Sequence, residues 1–300
     1  MNIVVAGGTG FIGSSLLPAL SLAGHSVVLL TRHPDLQKLP PEITPVRWDG
    51  LTQGDWGNQI GRADAVINLA GESIGAGRWT PARKRNLLES RLNATRALLE
   101  AIRAGTRKPS LFISSSAVGY YGPVESGEVG EDHPAGSGFL ADLCLRWEQE
   151  ASAVGELGIR VVILRTGVVL GRKGGALERM LIPFRLYAGG PIGTGKQWFP
   201  WVHRDDVEGV ILFALRNESL AGPVNVVAPE SVDMRTFCAA LGKALSRPSW
   251  LAVPSFPLRL ALGEMADMIL TGQRVVPSKL RSLGYEFRHP ALGGALASVV

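Results

Sequence analysis

The sequence predicts an α/β fold, a doubly wound parallel sheet followed by a smaller, mixed and mainly helical C-terminal part. Three observations carry this expectation. Short apolar segments alternate with longer segments of helical periodicity over residues 1–171. The short segments are apolar throughout, as strands covered on both faces of a parallel sheet must be. A glycine-rich turn separates the first strand from the first helix.

Residues 2–6 read as an apolar strand, 11–23 as a helix ending at Gly24, and 26–31 as a second strand. The stretch that follows, containing Trp48-Asp49, reads as irregular, and 64–69 as the next strand. Thr80-Pro81 supplies a helix start, a capping hydroxyl followed by proline at the first helical position, where its missing N–H is no loss. That helix runs to about Ala104, with Leu88, Leu92, Thr95, Leu98, Leu99 and Ile102 on one face. A strand over 111–115, a helix over 138–155 and a strand over 159–166 complete the alternation.

After Gly171 the elements shorten, and glycine and proline become denser (Gly189-Gly190-Pro191, Gly193, Gly195, Pro200). Helices are expected over 204–216 and 232–246. A strand over 224–228 lies between them and is expected to return to the main sheet. The last fifty residues read as mainly helical, punctuated by Pro254, Pro257, Pro277 and Pro290. No repeat or low-complexity linker appears. A main domain over 1–171 with a smaller domain over 172–300 docked closely on it is the expected organisation.

Composition excludes several classes. With 46% hydrophobic and 19% charged residues, the 300-residue chain is neither disordered nor, given the scatter of its 37 glycines, collagen-like. Apolar runs stop well short of the roughly 18 residues a membrane span requires. Residues 3–6 are too short for a signal-peptide core. Cys144 and Cys238 form neither a disulfide framework nor a zinc-spaced cluster, so no metal is expected and a reduced, cytoplasmic protein is. The net charge of +5 is spread along the chain, and the Arg83-Lys84-Arg85 triplet reads as a solvated helix face. Nucleic acid is therefore not an expected partner. A small-molecule ligand is, in a monomer or homodimer.

Gly7, Gly10 and Gly13 make G-x-x-G-x-x-G directly after a strand and at the start of a helix. Gly7 permits the sharp turn, Gly10 lets the backbone approach a pyrophosphate, and Gly13 allows close helix–sheet packing. The helix N-terminus adds N–H groups and partial positive charge. This is the signature of a Rossmann-type dinucleotide site, with Thr9, Phe11 and Ile12 on the same turn. At the end of the second strand, Thr31-Arg32-His33 offers no acid until Asp35. NAD sites usually place a carboxylate there for the ribose hydroxyls, whereas Arg32 would pair with a 2′-phosphate. NADP(H) is the expected cofactor, with Thr31 and His33 as auxiliary donors and Asp49 as a candidate for the adenine edge.

Further motifs resemble the extended short-chain dehydrogenase/reductase superfamily, which includes NAD(P)-dependent sugar-nucleotide epimerases and dehydratases. Asn68-Leu69-Ala70-Gly71 resembles its fourth-strand motif beside the cofactor ribose. Ser114-Ser115-Ser116 with Tyr120-Tyr121-Gly122 resembles its active-site serine strand. Arg165-Thr166-Gly167-Val168-Val169-Leu170-Gly171 resembles the segment closing over the nicotinamide, and 201–207 (WVHRDDV) a late motif that packs the substrate domain. Gly71-Glu72-Ser73-Ile74, Gly77-Arg78-Trp79-Thr80, Ser90-Arg91-Leu92, Gly272–Pro277 and Leu283–Phe287 are similar to one atypical branch. That branch is the bacterial epimerase family with a small C-terminal domain of unknown function. The resemblance implies an NADP(H)-binding fold and no particular substrate.

The superfamily transfers protons with a Tyr-x-x-x-Lys pair on one face of the helix after the serine strand. Here the tyrosines are 120, 121, 187 and 285, followed four residues on by Val124, Glu125, Pro191 and His289. The pair is absent, and alignment on Trp147-Glu148 leaves Leu140 and Cys144 in its place. Ser116 remains as the hydroxyl-binding serine. Tyr121 is the candidate acid, or else an aromatic packed against the cofactor or a lid. Arg91 replaces an asparagine of the ordinary pattern and would bring its guanidinium near the cofactor. Cys144 reads as core, His203 as part of a structural hydrogen-bond network, and Trp198, Phe199 and Trp201 as a wall between the two parts. Two functions follow: an oxidoreductase or epimerase-like enzyme with an unconventional proton donor, or an NADP(H)-binding sensor without turnover.

Overall fold

The computed structural model describes residues 1–36 and 39–300. Its strands are β1 (Asn2–Ala6), β2 (Ser26–Thr31), β3 (Ile43–Arg47), β4 (Ala65–Asn68), β5 (Leu111–Ala117), β6 (Glu128–Val129), β7 (Arg160–Thr166), β8 (Val168–Leu170), β9 (Trp201–His203), β10 (Gly222–Val226) and β11 (Arg274–Val275). The α-helices of the described residues are α1 (Gly13–Leu22), α2 (Gly57–Ile60), α3 (Pro81–Ala104), α4 (Phe139–Ser152), α5 (Gly175–Arg185) and α6 (Arg204–Arg216). They continue as α7 (Met234–Ala244), α8 (Ser255–Leu262), α9 (Asp267–Leu270), α10 (Ser278–Ser282) and α11 (Leu292–Val299).

The central sheet runs β10-β7-β5-β4-β1-β2-β3, and every neighbouring pair is parallel. Strand order reverses between β1 and β4, which creates a crevice at their C-terminal ends where such sheets bind ligands. Alternate side chains of each strand serve opposite faces. Ile3 and Val5 of β1 join Leu16, Leu17 and Leu20 of α1 and the apolar face of α6. Val4 and Ala6 join Ala94, Leu98 and Ile102 of α3, with Trp48, Trp56 and Ile60. This is the doubly wound architecture that the uninterrupted apolar strands predict.

The start of α3 follows its sequence signal: the Thr80 hydroxyl accepts the Arg83 N–H at 3.2 Å, with Pro81 behind it. The basic triplet at that start is not simply a solvated face. Arg83 pairs with Glu72 and Lys84 with Glu264, while Arg85 is exposed. Before Asp64, the stretch read as irregular contains β3. Pro45 hid it, because proline belongs only in strands with one unpaired edge, and β3 pairs with β2 alone.

Residues beyond β7 build a further apolar cluster in which Leu170, Leu177, Phe184, Phe199, Trp201, Phe237 and Leu241 meet Leu292, Leu296 and Val299 of α11. The C-terminal segment also reaches back to the first half of the chain. β11 pairs with β6, and the Lys279 ammonium donates to the carbonyls of Ala221 and Pro223 at the start of β10.

Candidate functional site

The glycine turn is built by close approach. Gly7 has φ +76°, and a Cβ there would stand 2.5 Å from the Leu69 carbonyl carbon and 2.6 Å from the Ala70 nitrogen. The turn is thus pressed against the segment leaving β4. A Cβ on Gly13 would stand 2.4 Å from the Gly8 Cα, so only glycine lets α1 begin this close to the turn. Gly10 differs: its one near neighbour would be the Gly7 carbonyl at 3.3 Å, and Thr9 beside it is exposed. The outward side of this turn is free for a ligand's phosphates, with the first-turn N–H groups of α1 behind it. Phe11 faces another way. Cβ atoms on Gly174 and Gly175 would lie 3.1 and 2.7 Å from its ring, and the Arg204 guanidinium lies 5.2 Å from its centroid. Phe11 and Ile12, both partly buried, tie the turn to the body of the protein.

At the end of β2, Thr31 is buried and its hydroxyl accepts the His33 N–H at 3.3 Å. Arg32 is exposed, with no hydrogen bond or ion pair among the described residues. Asp35, the first acid downstream, pairs with Arg47 at 3.5 Å. Asp49 closes the loop after β3. Its carboxylate accepts the N–H groups of Leu51 and Thr52, both at 2.8 Å, and the Thr52 hydroxyl at 2.6 Å. Those bonds, the Thr52 hydroxyl's first, hold it below the usual carboxylate range.

Asn68 at the end of β4 is fully buried, donating to the Thr95 hydroxyl at 3.0 Å and accepting the Ala70 N–H at 3.1 Å. It therefore sets the path of Leu69, Ala70 and Gly71 over the crevice. Arg91 completes that path from below. Its guanidinium donates to the Leu87 carbonyl at 2.8 Å and the Glu72 carbonyl at 2.9 Å, and lies 5.1 Å from the Trp147 ring. Gly71 makes room for it, since a Cβ there would approach the guanidinium carbon to 3.1 Å. Arg91 is only 7% exposed, and burial lowers its affinity for its proton.

The serine strand leads into a buried polar network. Ser114 is fully buried, its hydroxyl 3.3 Å from the Ser115 carbonyl. Ser116 donates to Glu148 of α4 at 2.6 Å. Glu148 receives Arg165 of β7 in a two-pronged ion pair, Nε to Oε1 and Nη2 to Oε2, each at 2.9 Å. A further nitrogen of Arg165 donates to the Tyr121 hydroxyl and the Glu131 carbonyl, each at 2.9 Å. Tyr121 in turn donates to Asn225 of β10 at 2.6 Å. Tyr121 is fully buried, and burial pushes its hydroxyl up to about 12. In this arrangement it is a buried hydrogen-bond hub, its hydroxyl taken up by Arg165 and Asn225.

Glu148, Glu131 and Asn225 were not singled out from the sequence as site residues. One signal was present: Arg165 interrupts an otherwise apolar strand, and a buried guanidinium demands a partner. In the segment after β7, Gly167 leaves 2.7 Å between a would-be Cβ and the Pro200 carbonyl, and Val168 donates to that carbonyl at 2.8 Å. Thr166 lies at the end of β7, with its hydroxyl 3.2 Å from the Leu164 carbonyl.

His203 caps α6. Its Nδ1 accepts the Asp205 N–H at 3.1 Å, its Nε2 lies 3.1 Å from the Ser298 hydroxyl, and its ring stacks on His289 at 3.7 Å. Burial lowers it to about 4. The ligand atoms of His203, Asp205 and His289 lie within 4.8 Å of one another, but the His203 lone pair nearest that group already serves the helix cap. Phe199 and Trp201 lie in the apolar cluster, while Trp198 carries Arg274 at 5.1 Å from its ring. Cys144 is core, and burial pushes its thiol up to about 11. A cavity of about 200 Å³ lies at the opposite, N-terminal edge of the sheet, between Asn2, Ser26, Thr44 and Arg62, and takes no part in this site. No helix among the described residues is long and apolar enough to cross a membrane.

With the fold and crevice in place, known proteins give consistent matches. The sequence model of the NAD dependent epimerase/dehydratase family matches residues 3–228, and that of a domain of unknown function, DUF1731, matches 253–299. The epimerase family protein SDR39U1 of Bos taurus is 42% identical over the whole of both chains. The epimerase family protein YfhF of Bacillus subtilis is 41% identical, over all of this chain and 98% of that one. Among solved structures, the human epimerase family protein SDR39U1 (isoform 2), crystallised with NADPH, superposes with a TM-score of 0.86 at 37% identity, covering 100% of this chain and 99% of that one. The chain belongs to the NAD-dependent epimerase/dehydratase family and carries that family's fold with a C-terminal DUF1731 domain.

Proposed function

We propose that this protein binds NADP(H) in the crevice between β1 and β4 and uses it in oxidoreductase or epimerase-like chemistry on a small molecule. The observation that carries the reading is the pairing of the Gly7–Gly13 turn, outwardly open at Gly10, with the exposed Arg32, which has no partner among the described residues, at an acid-free strand end. The NADPH in the crystal structure of the human relative supports it. Gly7, Thr9, Gly10 and Gly13 would take the pyrophosphate, and Thr31, Arg32 and His33 the 2′-phosphate. Asp49 would stand at the adenine, Asn68–Gly71 along the nicotinamide-side ribose, and Ser114, Thr166, Gly167 and Val168 at the nicotinamide. Arg91 acts through the Glu72 carbonyl, holding the Gly71 segment in place. When bound, the cofactor supplies a hydride donor or acceptor. The protein's residues orient it, exclude water and handle the accompanying proton. The substrate would enter between the sheet edge and residues 172–300, the part read as a separate smaller domain.

A second reading, an NADP(H) sensor without turnover, draws on one observation. The helix positions of the usual dyad hold Leu140 and the buried Cys144. The first test is fluorescence titration of wild type and Arg32→Ala with NADPH and NADH. A guanidinium–phosphate contact is worth about 1.5–3 kcal/mol, so Arg32→Ala should lose roughly 10- to 100-fold for NADPH and little for NADH. Equal losses for both would remove the 2′-phosphate assignment. Failure of the wild type to bind either would remove the function.

A further inference from the structure

Residues 118–121 turn the chain at the end of β5, directly against the part of α4 where the superfamily's proton-transfer pair would stand. A Cβ on Gly119 would lie 3.2 Å from the Leu140 Cβ and 3.9 Å from the Cys144 sulfur. Two neighbouring tyrosines leave this turn with opposite fates. Tyr121 goes inward and spends its hydroxyl on Arg165 and Asn225. Tyr120 stays partly exposed, and its hydroxyl has no hydrogen-bond partner among the described residues.

Tyr120 is nevertheless held. The Arg165 guanidinium lies over its ring, 3.5 Å from the centroid, and that guanidinium is itself locked by the two-pronged Glu148 pair. Tyr121 meets the ring edge-on at 5.3 Å, and the Tyr120 carbonyl accepts the Gly136 N–H at 3.0 Å. The ring lies between two apolar clusters, one of Cys144 and Trp147 from α4, the other of Val227 and Val275 from the later part of the chain. A phenol held by a cation on its face, its hydroxyl without a hydrogen-bond partner among the described residues, is a group prepared for a ligand.

We propose that Tyr120 supplies the hydroxyl that meets the substrate oxygen in the NADP(H) crevice, replacing the tyrosine missing from α4. In the reductive direction the substrate is an aldehyde or ketone. Its carbonyl carbon takes the hydride from NADPH, the C=O π pair moves to oxygen, and the Tyr120 O–H bond breaks to give that oxygen a proton. The tyrosinate left behind recovers a proton from water. The assignment rests on the NADP(H) reading above.

The test labels tyrosine hydroxyls with N-acetylimidazole, with and without saturating NADPH, and maps the acetyl groups by peptide mass spectrometry. NADPH binding is followed separately by tryptophan fluorescence. Tyr187, 56% exposed, is the control that should react in both conditions. Tyr120 should be acetylated in the free protein and protected at least fivefold by NADPH, while Tyr121 stays unlabelled. Tyr120→Phe should abolish that label, which assigns it to the Tyr120 hydroxyl. If NADPH binds but Tyr120 is unreactive, or reacts equally with and without it, the Tyr120 assignment is overturned and the cofactor reading stands. If NADPH does not bind, the function reading fails and the assignment with it.

Discussion

Glu148→Gln removes the charge at the centre of the buried network while keeping the side chain's size. In the wild type, the two carboxylate oxygens receive Arg165 Nε, Arg165 Nη2 and the Ser116 hydroxyl, within 2.9 Å, and the Arg165 and Glu148 side chains are only 4% and 8% exposed. The amide keeps one acceptor and sets an NH2 group against the guanidinium, which is left charged and unpaired away from water. Breaking one partner of such a pair costs about 3–5 kcal/mol. At about 2–4 °C per kcal/mol, the scale for domains of 150–250 residues, the melting temperature should fall by roughly 6–20 °C. Thermal unfolding followed by circular dichroism and urea unfolding followed by tryptophan fluorescence measure it. Adding Arg165→Met removes the orphaned cation and should recover a substantial part of the loss. A Glu148→Gln cost below about 1 kcal/mol, or a double variant worse than the sum of its parts, would refute the account of the network as a neutralised buried pair.

Three further outcomes follow from the geometry. Gly7→Ala meets both a left-handed backbone, worth about 1–3 kcal/mol, and backbone atoms at 2.5 Å, whereas Gly24→Ala at φ +78° meets nothing within 4 Å. Gly7→Ala should therefore destabilise more and abolish NADPH binding, and equal effects in the two variants would contradict the close approach to Leu69. His203 is held near 4 by burial against its ordinary 6.5, so the unfolded chain binds its proton first. Its contribution to stability is whole above pH 6.5 and drains away as the pH falls towards 4. Asp206 and Glu208 are raised by burial and tilt the total oppositely, so the readout is the difference between variants. His203→Asn, whose amide oxygen can still cap α6, should flatten the slope of stability between pH 6.5 and 4, and an unchanged slope would contradict the burial of a neutral imidazole. Finally, Cys144 and Cys238 are each 1% exposed, with thiols pushed up by burial to about 11 and 12. Neither should react with iodoacetamide at pH 8 until the protein unfolds, and rapid native labelling would place a thiol in an open site.

Local chemistry and periodicity are enough for much of this fold. Uninterrupted apolar strands require a sheet covered on both faces. The Thr80-Pro81 start of α3 follows from orphan N–H groups. The glycine turn follows from a left-handed residue and a helix begun too close for a side chain. An acid-free β2 end is legible because the discriminating residue stands beside the strand that presents it. Even there, Pro45 concealed β3, since a proline is tolerable only once the strand is known to lie at the sheet's edge.

The roles of the polar residues after β5 emerge from long-range packing. Tyr120 and Tyr121 are the same residue type at adjacent positions, and no local pattern separates them. What separates them is Asn225, 104 residues away, which takes the Tyr121 hydroxyl. Arg165, from β7, bonds that hydroxyl on one side and covers the Tyr120 ring on another. Glu148 served in the sequence only to align α4 with the superfamily pattern, yet it neutralises that arginine and holds Ser116. Such roles arise when burial forces distant polar groups to satisfy one another, because an unpaired charge in the interior costs more than the chain can spare. That demand exists only after the sheet has brought β5, β7 and β10 side by side.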